Sequence, residues 1–223
     1  MDPDPAVRAA ALGRALPSHQ NTIYEATVPV ARYVAAILSH PATATSTSTS
    51  TSTSEVHPAT GQDPNRPMRA ELLEWLGSTA YDADDATVTI AEDGWDGTFP
   101  SPDPAMRAFR DLRPHLYQAV RPLLDDEDER VRHTALVAAI PLAEHPGLVT
   151  HHDLLAHHAR RLLNTSTLRY QRDRALDALR SWGHSTSALE TPEDTAARAR
   201  YARFAAQRLQ PLEGGGYSDE PPF

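Results

Sequence analysis

Apolar residues recur three and four positions apart over most of this chain, the spacing of one helix face. The pattern is clearest from Asp125 to Gly147, DDEDERVRHTALVAAIPLAEHPG. An acidic turn leads into Val131-Arg132, and Leu136, Val137, Ile140 and Leu142 follow on a broad apolar stripe. That is a capped amphipathic helix. The same spacing predicts helices over 5–16, from Val28 to Ser39, from Pro67 to Gly77 or Tyr81, from Asp103 to Leu124, from His151 to Leu163, from Leu168 to Trp182 and from Thr191 to Leu209. Pro114 and Pro122 each delete a backbone hydrogen bond, so a kink or two shorter helices are expected between Asp103 and Leu124. Thr191-Pro192-Glu193-Asp194 is a helix start, with a capping hydroxyl, proline in first position and acids at the positive dipole end.

Two stretches break the pattern. Residues 42–65 include an almost unbroken Thr-Ser alternation with nothing to bury, which predicts a disordered insertion. Residues 82–103 form an acidic insertion without a basic residue, carrying Trp95 between Asp93 and Asp96, with Phe99 nearby. Trp95 and Phe99 either present an aromatic anchor ringed by charge or fold back to fill a gap between helices. The last residues, 211–223, have the composition of a disordered tail.

Four of the predicted helices align on an arginine: Arg8, Arg69, Arg132 and Arg172. Ala or Leu stands three, four and seven residues after each, on the same face. The arginines are 61, 63 and 40 residues apart, and two of these intervals contain the insertions. Without the insertions the period is about 40 residues, the length of a two-helix repeat. The unit PLLDDEDERVRHTALVAAIPLAEHPG resembles a HEAT repeat: a first helix ending in Leu-Leu, an acidic turn at Asp125-Asp126, then Val131-Arg132 and Ala135 in the second helix. The chain as a whole is similar to HEAT-repeat-containing proteins of actinobacterial type. The third unit departs from the pattern, with Gln171 where Val is usual. The resemblance implies an all-α, HEAT/ARM-like α-α superhelix over residues 1–210, with about three helix pairs and capping helices. It also implies protein binding on a repeat surface, and a structural role for Arg132.

Composition narrows this reading. Aromatics are only 6% against 40% hydrophobic residues, so Ala and Leu must make the core, which favours helices. Cysteine is absent, removing thiolate metal sites and a cysteine nucleophile. The net charge of −9 disfavours nonspecific binding to nucleic acid or anionic membrane. The charge is uneven, however: residues 151–210 hold ten arginines against six acids. No apolar run is long enough to span a bilayer, and the first residues lack the order of a secretion signal, so a cytoplasmic protein is expected.

Candidate chemistry is sparse. His151, His152, His157 and His158 crowd one helix start, but their spacings of one, five, six and seven suit exposed histidines better than a chelate. No Gly-x-Ser-x-Gly elbow and no glycine-rich phosphate loop precedes a helix. HEAT-like metal-dependent hydroxylases carry His-Glu pairs, and this chain has no His-Glu dipeptide. The expectation is a non-enzymatic module with no metal or cofactor. It would bind a protein partner, a basic one if the acidic insertion makes the contact, as an immunity-type protein occludes a toxin. Binding is assigned to Asp93, Trp95, Asp96 and Phe99, and to Arg172 and Trp182 in the third unit. The competing reading is a nucleic-acid binder or enzyme using that Arg/Trp face.

Overall fold

The computed structural model describes residues 23–40, 43, 67–85 and 104–208. The predicted helix over 5–16, the Thr-Ser insertion apart from Thr43, and the tail lie outside these residues. Among the described residues the chain is all-α, with seven α-helices, two short 3-10 helices and no strand. The α-helices are α1 (Thr27–Leu38), α2 (Met68–Asp82), α3 (Pro104–Val120), α4 (Glu129–Leu142), α5 (His152–Thr165), α6 (Arg169–Ser181) and α7 (Pro192–Arg208). None is long and apolar enough to cross a membrane.

Local chemistry sets the boundaries. The α3 helix runs through Pro114 without ending, and the change comes at Pro122, inside a 3-10 helix over Arg121–Asp125. Pro122 sits at the start of that element, where a missing N–H does little harm. Asp128 caps α4, its carboxylate accepting the N–H groups of Arg130 and Val131. At the end of α6, Gly183 takes φ +82°, with Gly183 N–H donating to Arg180 O and His184 N–H to Leu179 O. That is the paired-bond stop that a left-handed glycine permits.

The helices pack in neighbouring pairs, α1 with α2, α3 with α4 and α5 with α6. Alternate helices also pack on each other: α1 on α3, α2 on α4, and α4 on α6. The α4 helix lies at the centre, touching α2, α3, α5 and α6. Every residue from Thr134 to Ala143 is buried, so beyond its first turn and a half the helix is enclosed on every side, not only along the stripe read from sequence. Its alanines make this possible, because small side chains let several neighbours approach one axis. Gly77 shows how close: a Cβ there would lie 3.1 Å from Ala138 Cα. The glycine is thus a contact point between α2 and α4, not the end of α2. Across α4, the Arg174 guanidinium of α6 lies 2.9 Å from the centre of the Tyr81 ring of α2. The two helices flanking α4 therefore meet through a cation–π contact.

Candidate functional site

The aligned arginines organise the polar contacts. Arg132 donates from Nη1 to the carbonyls of Asp126 and Glu127, both at 2.8 Å, closing the turn before its own helix. Arg69 reaches forward, donating from Nη1 to Asp126 Oδ2 at 3.0 Å and from Nε to Thr43 Oγ1 at 3.3 Å. The buried Thr43 hydroxyl in turn donates to Ile37 O and His40 O, at the end of α1. Arg172 donates to Leu163 O at 2.6 Å, Ser166 O at 3.1 Å and Leu189 O at 3.2 Å. It also pairs with Asp194 at 2.6 Å. In each case a second helix of a pair satisfies carbonyls or carboxylates that a turn would otherwise strand.

This places Arg172 away from a binding face. It is buried, and its donors are consumed by the end of α5 and the start of α7. Trp182 is half-buried against the core, its ring stacked on His152 at 4.9 Å and 20°. Asp93, Trp95, Asp96 and Phe99 lie outside the described residues. The start of the acidic insertion moves, however. Asp82 is still helical, Asp84 is buried, and Asp85 is held by the guanidinium groups of Arg110 and Arg113. Residues 82–85 thus belong to the packed body.

The histidine cluster is divided among separate environments. His151 meets the Tyr117 ring at 4.8 Å, His152 faces Trp182, His157 is exposed and His158 is buried. Among the described residues, no three His, Asp or Glu side chains are grouped to hold a metal.

No family model, curated protein or solved structure matches the chain.

Two features carry no strong sequence signal. The first is a buried polar junction around Arg113, which is only 2% exposed. It donates to Ala83 O and Asp85, with Glu144 at 3.5 Å, and so joins α2, α3 and the end of α4. Burial pushes the Glu144 carboxyl up despite the bond from Asp85 N–H and the nearby Arg113. The second is a cavity of about 50 Å³ lined by Leu124, Glu129, Arg132, His133, His158, Arg161 and Thr165. His133 Nε2 lies 3.1 Å from Thr165 Oγ1 and 3.7 Å from Glu129. Burial lowers the pKa of His133, with Arg132 and Arg161 adding to the shift and Glu129 opposing it. Burial also lowers His158, against Asp125.

These two shifts fix a sign. A histidine depressed below its ordinary value binds fewer protons folded than unfolded. Its stabilising contribution is present above the ordinary histidine pKa and is lost as pH falls through the folded value. Thermal melts are therefore expected to show Tm falling as the pH drops below about 6.5, the ordinary histidine value. The double change His133→Gln with His158→Gln is expected to flatten that slope; an unchanged slope would place the titration elsewhere. Glu144 and Asp82, both raised by burial, act in the opposite sense, which is why the comparison with the variant decides the matter.

Proposed function

We propose that this chain is a HEAT-like helical-repeat scaffold, non-enzymatic and acting in the cytoplasm, that binds a protein partner. Support for the repeat comes from the packing of α1 on α3, α2 on α4 and α4 on α6, with Arg69, Arg132 and Arg172 in matching positions. A single helix pair cannot enclose its own apolar face, and stacked pairs form a continuous core. The observation that carries the binding role is the set of aromatic side chains left at the surface. Tyr24, Tyr33, Tyr170, Tyr201 and Phe204 are 38–69% exposed in a chain with few aromatics. Aromatic anchors dominate protein interfaces. The acidic insertion following Asp85 would add a contact to a basic partner, such as a toxin held inactive.

The competing nucleic-acid reading loses support, since Arg172 is buried and Trp182 is half-buried against the core. Affinity purification of the tagged full chain from its native host tests the proposal. A protein recovered in fixed stoichiometry, and retained as salt is raised, is the expected result. Recovery of nucleic acid or a small molecule alone would contradict it.

A further inference from the structure

The cavity between α4 and α5 is walled by hydrogen-bond donors. Arg132 and His133 come from the first turns of α4, and His158, Arg161 and Thr165 from the second half of α5. His158 is only 7% exposed, and no described residue hydrogen-bonds its ring. Neither of its nitrogens is fully sealed off, however, so the unpaired imidazole reaches the cavity it lines. A buried polar ring without a partner is costly and uncommon. Arg132 commits only Nη1, to the carbonyls of Asp126 and Glu127, and its Nε and Nη2 have no partner among the described residues. Arg161 has one loose contact, Asp125 at 3.7 Å.

These groups select the ligand's charge. Two guanidinium groups repel a cation, and with both imidazoles protonated the only opposing charge on the lining is Glu129. Glu129 is 54% exposed and lies 3.7 Å from His133. The helix dipoles largely cancel, since the start of α4 meets the end of α5, so the side chains decide. Size narrows the choice further. A water needs about 10–15 Å³ of such space, so the cavity of about 50 Å³ admits one phosphate group without a sugar or base. A carboxylate is planar and suits a single guanidinium edge, whereas donors converging from two helices suit a tetrahedron.

We propose that this cavity binds a tetrahedral oxyanion, phosphate or the terminal phosphate of a monoester, on Arg132, His133, His158 and Arg161. The site is independent of the exposed tyrosines and of the protein partner. An anion there favours the charged imidazoles, so binding takes up protons and strengthens as pH falls. The charged and titratable groups around the two rings are Asp125 from the 3-10 helix, Glu129 and Arg132 from α4, and His157 and Arg161 from α5.

Isothermal titration calorimetry on the full chain tests this, with ionic strength held constant by chloride. Inorganic phosphate is expected to bind saturably, one ion per chain. Sulfate has the same shape and does not change charge over the range, so it serves for the pH series. Its affinity should rise severalfold from about pH 8 to about pH 6, as the histidines protonate. Arg161→Gln should weaken both ions about tenfold or more, the effect of losing a hydrogen bond between charged groups. His158→Gln should remove much of the pH dependence. Arg160→Gln, one position away and exposed, should change nothing. Arg160 and Arg161 are both exposed, so that comparison decides the matter even if His158→Gln fails to fold. O-phosphoserine binding as tightly as phosphate would assign the site to a monoester, and binding of phosphate alone would assign it to the free ion. The proposal is overturned by the absence of saturable binding, by acetate binding as tightly as phosphate, or by equal losses in Arg160→Gln and Arg161→Gln, which would mark an adventitious surface ion.

Discussion

Replacing Asp194 with alanine is expected to destabilise the protein by about 3–5 kcal/mol, the cost of breaking a buried ion pair from one side. Asp194 is 1% exposed and sits three positions after Thr191. It accepts the Thr191 N–H at 2.8 Å, while its own N–H donates to Thr191 Oγ1 at 3.2 Å. That reciprocal pair is the capping arrangement that starts α7. The same carboxylate receives Arg172 at 2.6 Å and Arg169 at 2.7 Å. The Arg172 bond holds its pKa well below the usual carboxylate range, against the opposing effect of burial. Alanine would leave the Arg172 guanidinium buried without its counter-charge and remove the cap at once. Urea unfolding measures the loss. The exposed pair Arg180–Asp177 provides the control, since Asp177 is 67% exposed. Asp177→Ala should change stability by about 0–1 kcal/mol. The double change Arg172→Met with Asp194→Leu should recover much of the loss, because it leaves no buried charge stranded.

Gly77→Leu is expected to cost about 1–3 kcal/mol by overpacking. The first added carbon would already stand 3.1 Å from Ala138 Cα and 3.3 Å from its Cβ, and α4 is held by neighbours on every side. Further carbons have nowhere to go without separating α2 from α4. Gly77→Ala should be close to neutral, since about 1 kcal/mol gained in helix propensity offsets the short contact. The same leucine at the exposed neighbouring position, Ser78→Leu, should have little effect. A fall in urea midpoint confined to Gly77→Leu, with unchanged slope, is the expected signature.

Most of the helices are legible in the sequence because each has a single period. The boundaries of α5, α6 and α7 fall within two residues of the spacing, and Thr191 caps α7 as its hydroxyl suggests. What the pattern conveys poorly is what surrounds a helix. Arg172 reads both as a repeat arginine suited to bonding nearby acids or carbonyls and as part of a binding face, and the fold buries it where two helix ends converge. Gly77 and Tyr81 both read as stops; the helix runs on to Asp82, one residue past Tyr81, and Gly77 is a helix crossing. The Ala-rich stripe of α4 reads as one face, although from Thr134 onward the helix is buried all round. The histidines read as one cluster at a helix start, but the turn into α5 sends His152 to Trp182 and His151 to Tyr117. The reverse holds for Tyr201 and Phe204. Their spacing matches a core stripe, yet they are 69% and 55% exposed. The one hint was the surplus of arginine between residues 151 and 210.

The central claim is that α4 is the axis on which the helix pairs pack, with the first turn of α7 anchored through Asp194. Amide hydrogen exchange resolved along the chain tests it most directly. Amides from Thr134 to Leu142 should exchange only on global unfolding, with an opening free energy equal to that from urea. Asp194→Ala should release the first turn of α7. Exchange of α4 by local opening, faster than α1 or α6, would contradict the account, as would a first turn of α7 left unchanged by Asp194→Ala.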